Sequence, residues 1–223
     1  MSTHMSAWDM PVARWAAWIG EGELDLGFIE PLLRRRLSPL ARAALHVANV
    51  CAYDCPSANF VFASRHGELK RTVELLRNLS QDEEMSPTLF SLSVLNSAAG
   101  IFSIARKDHA PATAIAAGIE SFGYGLFEAH LRAKYDLERP VVYVYADAPA
   151  PEPLGRQPCD PDALFALGLL IDQGATTRLR TEVSLGYAGE AVSTLQANAC
   201  LQALERGVGS WSSGPRQWQW KLQ

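Results

Sequence analysis

The amino-acid sequence predicts an α/β fold in which a mixed β-sheet is covered by helices. Three observations predict it. Strand-like and helix-like segments alternate from the start of the chain to Ala146. Pro140–Ala146 (PVVYVYA) is apolar at nearly every position, as a strand buried on both faces requires. Two strand-like segments, Ala163–Ile171 and Thr177–Leu185, then follow in succession around a short turn at Gly174. The outline is β-α-β-α-β-α-β-β, which implies a mixed rather than an all-parallel sheet.

Taken in order, residues 1–12 are polar and read as loose. Ala13–Ile19 (ARWAAWI) is a short apolar run closed by Gly20, and Glu21–Asp25 is a polar turn. From Pro31 the chain looks helical. Ser38-Pro39 fits an N-cap followed by proline at the first helical position, and Leu40, Ala44, Val47 and Ala48 share one helical face. Asn59–Ala63 (NFVFA) is aromatic and β-branched, hence a strand, running into Ser64-Arg65-His66-Gly67. A helix follows from about Glu68 to Leu79, with apolar Leu69, Val73, Leu76 and Leu79. Thr88–Val94 (TLFSLSV) alternates, which predicts a strand. Asn96–Ala105 is a small-residue helix or turn, and Pro111–Ala117 is apolar. Gly118–Tyr135 is a strong helix, with Phe122, Leu126, Ala129 and Ala133 at i, i+4, i+7 and i+11. Asp147–Pro161, with five prolines, is a loop. Gly189–Arg206 reads as a helix, and Arg216–Leu222 as an alternating, Trp-bearing strand.

Composition narrows the function classes. The chain has 223 residues, with Lys plus Arg 20 against Asp plus Glu 24 and a net charge of −4, which argues against a general nucleic-acid binder. Its 48 % hydrophobic content is that of an ordinary globular chain. No apolar run approaches ~20 residues, so no membrane span is expected. The first residues lack the apolar stretch of a signal peptide. Four scattered cysteines (Cys51, Cys55, Cys159, Cys200) do not make a disulfide framework, which suits the cytoplasm.

Local motifs give little chemistry. The five histidines show no metal spacing, and Cys51-Ala-Tyr-Asp-Cys55 lacks the second pair that zinc needs. Gly118-Ile-Glu-Ser121-Phe-Gly123 is GxxSxG, one residue longer than a nucleophile elbow, so a serine on a helix face is the better reading. The glycines at 118, 123 and 125 have no following Lys-Ser/Thr, so there is no phosphate loop. No cofactor and no metal are expected. Trp211, Trp218 and Trp220 beside Arg216 and Lys221 favour packing or partner contact over base stacking in an acidic chain.

Two blocks together carry a resemblance. Asn96-Ser-Ala-Ala-Gly100-Ile-Phe-Ser-Ile104 is similar to the β-ketoacyl synthase segment Asn-x-Ala-Ala-Gly-x-x-Ser-Ile. Thr113-Ala-Ile115-Ala-Ala-Gly118 resembles the family's Thr-Ala-Cys-Ser/Ala-Ser/Thr-Gly, with the long helix and the Val141–Ala146 strand at the family's spacing. The likeness covers about residues 13–187. It implies a thiolase-like half, the β-ketoacyl synthase N-terminal half: a five-stranded mixed sheet with helices on both faces, plus a C-terminal helix and strand. Residues 1–223 are then one ketosynthase-like domain, with 13–187 as the family-like core and 188–223 as an extension. In the whole family fold one helix layer is sandwiched between two halves, so the Gly189–Arg206 helix and the Trp-rich tail are expected to cover it here.

Two departures from the family shape the expected function. Ile115 stands at the position of the catalytic cysteine, whose thiolate accepts the acyl group. The second half, with its two histidines and lysine, is missing, and no histidine follows His130. The chain therefore resembles a chain-length factor of the short type found in aryl polyene (xanthomonadin-like) type II polyketide systems. That resemblance implies no catalytic residue, a full-length β-ketoacyl synthase as heterodimer partner, and an acyl carrier protein as a further partner. A homodimer is an option for the isolated chain. The expected acyl-tunnel and interface residues are Phe90, Leu92, Val94, Leu95, Asn96, Phe102, Ile115 and Phe122, with 90, 92 and 94 on one side if 89–95 is a strand. The competing expectation is a hydrolase or acyltransferase using Ser121 or Ser64 with a nearby histidine, or a homodimeric module that binds acyl groups or carrier protein.

Overall fold

A computed structural model describes residues 4–185, 190–191 and 193–223. Eight strands and seven α-helices follow one another: β1 His4–Ile19, α1 Pro31–Arg35, α2 Pro39–Ala52, β2 Asn59–Ala63, α3 Leu69–Ser80, α4 Pro87–Ser91, α5 Ser97–Arg106, β3 Ala112–Ile115, α6 Ser121–Tyr135, β4 Val141–Asp147, β5 Phe165–Ile171, β6 Arg178–Leu185, α7 Gln196–Arg206, β7 Val208–Ser212 and β8 Arg216–Leu222. The strand order is β3-β2-β4-β5-β1-β6-β8-β7. β3, β2 and β4 are parallel, and every other pair is antiparallel. The predicted mixed sheet is therefore present, but with eight strands instead of five.

β4 shows how the sequence organises the layers. Side chains alternate across a strand. Val141, Tyr143 and Tyr145 enter one core with Phe122, Leu126 and Ala129 of α6, whereas Val142, Val144 and Ala146 enter a second core with α2 and α5. Helices thus lie on both faces, and the strand has no polar face to offer water. α2 starts where Ser38-Pro39 indicates: the Ser38 Oγ accepts from the Ala41 amide at 2.9 Å. On α6, Phe122, Leu126, Ala129 and Ala133 are all buried, as their spacing predicts.

Several expectations are corrected. Residues 88–94 are not a strand: Ser86 caps α4, its Oγ accepting from Leu89 N at 3.3 Å with Pro87 at the first helical position. That cap-and-proline start outweighs a short apolar alternation. The N-terminal strand begins at His4, not Ala13, because residues 4–11 pair with β6. Pro111–Ala117 contains β3, and the tail forms two strands rather than one. α7 starts at Gln196, and the predicted helix start at Gly189 and the 187/188 boundary lie outside the described residues.

The tail closes over α6. Trp211, Trp218 and Trp220 are buried. Trp220 meets Phe122 edge-on at 5.8 Å, and the Trp218 ring lies so close to Gly123 that a Cβ there would stand 2.8 Å from it. Trp218 Nε1 donates to Glu120 at 3.1 Å, and Arg216 Nε lies 2.9 Å from the same carboxylate. α7 with β7 and β8 thus provides the cover expected of the C-terminal helix and Trp-rich tail.

Candidate functional site

Ligand sites of parallel α/β sheets lie at the carboxyl ends of the strands. Here β3, β2 and β4 end side by side, with Ile115 level with Ala63 and Ala63 level with Tyr145. Beyond Ile115 the chain turns sharply through Gly118, at φ +61°, a conformation that favours glycine, and enters α6 through a 3₁₀ turn. Ser121 closes this turn: its Oγ accepts from Ala117 N at 2.8 Å and donates to Gly118 O at 2.7 Å. The strand-turn-helix that could present a nucleophile is therefore intact, and it presents a half-buried isoleucine.

Neither serine of the hydrolase reading is arranged to attack. Ser121 is buried and committed to the turn. Ser64 is buried, its Oγ donating to Asp147 at 3.3 Å and accepting from Gly67 N at 2.7 Å. Asp147 also accepts from the amides of Arg65 and His66, each at 3.2 Å, and from the Tyr145 hydroxyl at 3.0 Å. Burial nevertheless pushes the Asp147 carboxyl above its ordinary range. His66 engages a different carboxylate, its Nε2 2.7 Å from Asp160 Oδ1. No hydrogen bond joins Ser64 to His66 among the described residues. The cluster fastens the loop between β4 and β5 to the end of β2, since Asp160 also accepts from Ala150 N and Gln157 N. The cysteines offer no substitute nucleophile. Burial pushes the Cys51 thiol up to about 12, and it raises Cys55, Cys159 and Cys200 as well. Among the described residues no group of His, Cys, Asp or Glu could hold a metal ion, and no helix is long and apolar enough to cross a membrane.

The expected tunnel residues do not share one environment. Phe90 (60 % exposed) and Val94 lie open on α4 and the turn after it, with exposed Asn96 just before α5. Leu92 and Leu95 are half-buried against the α2/α5 core. Phe102 (2 % exposed) is inside that core, its ring 4.7 Å from Phe60 and 6.3 Å from Phe28. Ile115 sits at the end of the neighbouring edge strand. Phe122 is on the opposite face of the sheet, 5.6 Å from both Tyr143 and Tyr145, so it does not back the Phe90 group. Sequence reasoning left unassigned the exposed Leu76, Leu79, Met85 and Ile104 that extend this apolar surface along α3–α5. Leu76 and Leu79 were legible from the helical spacing of α3. A cleft of about 1030 Å³ between α3 and the proline-rich loop, lined by Leu40, Leu69, Val73, Leu89, Pro149 and Pro151 among others, was not.

Comparison with known proteins follows this geometry. No curated protein sequence matches the chain. Among solved structures, it is similar to a chain of the complex of ketosynthase ApeO with its chain length factor ApeC from Xenorhabdus doucetiae. That match has 27 % identity and a TM-score of 0.79, and covers 96 % of this chain and 99 % of that one. It shares its fold with the ishigamide ketosynthase/chain length factor at 16 % identity and a TM-score of 0.57, over 77 % of this chain and 55 % of that one. The family model for the β-ketoacyl synthase N-terminal domain matches residues 6–221, and the chain belongs to that family.

Proposed function

We propose that this chain is a non-catalytic chain-length-factor subunit that pairs with an active β-ketoacyl synthase and shapes its acyl tunnel in polyketide synthesis of the aryl polyene kind. The observation that carries the reading is Ile115: an intact strand-turn-helix holds a side chain with no nucleophilic atom where the family's motif has cysteine. Similarity over 96 % of this chain and 99 % of a chain from a ketosynthase–chain length factor complex supports the reading. The pairing surface in this reading is the open edge strand β3 with the exposed apolar side chains of α3–α5 beside it. Several large apolar side chains left exposed beside an open strand edge are what an interface uses. Phe90, Leu92, Val94, Leu95 and Asn96 are the group that reaches the partner's tunnel. Ile115 fills the reactive position, and Phe102 and Phe122 stiffen the two cores behind it.

Residues 1–223 act as one domain in this reading, the partner set includes an acyl carrier protein, and the location is cytoplasmic. Co-expression with β-ketoacyl synthases and pull-down tests the pairing. A chain that associates with none of the synthases encoded beside it refutes it. Incubation with an acyl thioester followed by mass measurement tests inactivity: no adduct is expected, and an acylated Ser64 or Ser121 would restore the enzyme reading.

A further inference from the structure

β1 changes partners halfway. Pro11 O accepts from Asp172 N at 3.2 Å while Val12 N donates to Thr177 O at 3.0 Å. The two groups belong to one trans peptide and point to opposite sides. β5 and β6 therefore flank β1 on opposite edges: residues 4–11 pair with β6, and residues from Val12 to Ile19 pair only with β5. From Ala13 onward the edge on the β6 side is vacant. Gly20 N donates to Leu164 O at 2.8 Å, so alternate amides at Trp18 and Ala16 turn toward β5 and those of Trp15, Ala17 and Ile19 turn away. Among the described residues no backbone group pairs with these three outward amides.

The side chains of this edge are apolar and bare. Ala13, Trp15 (37 % exposed), Ala17 and Ile19 (52 % exposed) share the sheet face turned away from α2, whereas Ala16 and Trp18 pack toward it. Natural edges are guarded by lysine, proline, bulges or inward charge. This one has a bulge only at its start, between Val12 and Arg14. Its one charge, Arg14, is held by Asp54 at 2.9 Å, and Glu21 and Glu23 lie beyond the strand end.

We propose that this edge of β1 is a self-association surface, on which a second copy of this chain adds its own residues 13–19 antiparallel across a two-fold axis near Ala17. An extended segment satisfies the outward N–H groups of Trp15, Ala17 and Ile19 and the carbonyls of Trp15 and Ala17, the Ile19 carbonyl already accepting from Glu21 N at 2.8 Å. The strip is also self-complementary, as a two-fold interface must be. With Ala17 opposite its own copy, Trp15 faces Ile19 and no like charges meet. β3 stays free at the far edge of the sheet, so self-association and ketosynthase pairing are independent, and neither reading rests on the other.

Sedimentation of the whole chain tests it, between about 1 and 500 μM because a contact this small is weak. The expected result is a rise from 24.4 kDa toward twice that mass. Amide exchange at Trp15, Ala17 and Ile19 should slow over the same range. Ala17→Pro removes only an outward N–H, which an edge strand tolerates, and should weaken the dimer by about tenfold or more. Ala17→Val keeps the N–H and should leave it dimeric. Trp15→Glu, which needs no backbone change, provides a second test should Ala17→Pro fail to fold, and should abolish dimers by facing a carboxylate with Ile19. A chain that stays monomeric throughout refutes the proposal. So does a dimer in which the three amides remain unprotected, or protection of them only when ketosynthase is added.

Discussion

Replacing Phe90 and Phe102 separately by alanine distinguishes a tunnel-lining side chain from a structural one. Phe102 is 2 % exposed, its ring tilted 31° against Phe60, with the Arg106 guanidinium 5.2 Å from its ring centre. Its loss removes a whole ring from the core, and such truncations cost about 3–5 kcal/mol. At about 2–4 °C per kcal/mol for a chain of this size, the melting temperature should fall by roughly 6–20 °C. Phe90 is 60 % exposed. Of a side chain that buries ~200 Å² at most, only about 80 Å² is hidden, which at ~25 cal/mol per Å² sets an upper bound near 2 kcal/mol. Differential scanning fluorimetry on each purified variant reads these numbers. Reconstitution with the ketosynthase and mass analysis of the products reads the rest. Phe90→Ala should remain folded and shift products to longer chains, because space opened in a tunnel floor admits further two-carbon units. Phe102→Ala should lower yield without a selective shift. The reasoning is refuted if Phe90→Ala costs as much stability as Phe102→Ala, or if a well-folded Phe90→Ala pair makes the wild-type distribution.

The remaining predictions concern other parts of the molecule. Ile115→Cys should give no condensing activity in the isolated chain, since no decarboxylating histidine follows His130; measurable chain extension by this variant alone would contradict that. Trp218→Ala should cost about 3–5 kcal/mol by denaturant titration, with the Glu120 carboxylate left to Arg216; a loss under ~1 kcal/mol would mean the tail is not part of the folded core. Burial opposes ionisation of Asp160, but hydrogen bonds from Gln157 N, His66 and Ala150 N hold its carboxyl below the ordinary range. A depressed carboxyl stabilises the fold above its unfolded value near ~3.9 and loses that effect as pH falls through the folded value. Asp160→Asn should therefore be less stable than wild type at pH 7, with the gap narrowing toward pH 3; a constant gap would exclude this linkage.

What the sequence reveals here follows from how local each cause is. β4 and α6 are legible because every residue of PVVYVYA is apolar and the i, i+4, i+7 and i+11 positions of α6 (Phe122, Leu126, Ala129, Ala133) are too, which needs no knowledge of partners. Thr88–Val94 misleads, since a seven-residue alternation fits a strand and a capped helical turn equally until Ser86 and Pro87 are weighed. β8 is legible as the alternation of Arg216–Leu222, whereas the first half of β1 escapes notice because its partner β6 lies about 180 residues away, and β7 because a five-residue strand with a glycine pairs only with β8. At the candidate site, Ile115 is legible through the motif around it. The separation of Phe102 from Phe122 by a whole sheet is not, since spacing along the chain says nothing about which face an element covers.

The closed tail also limits how such a subunit could be re-engineered. The family resemblance implies that α6 is the layer on which a second ketosynthase half stacks, and here Trp218 and Trp220 already occupy it, wedged onto Gly123 and Phe122. Fusing a C-terminal half after Gln223 would append a domain with no vacant seat, left tethered beside the first. Seating a second half on this face would first require clearing α7, β7 and β8 from it, which would bare Phe122 and Leu126 until the new half docked.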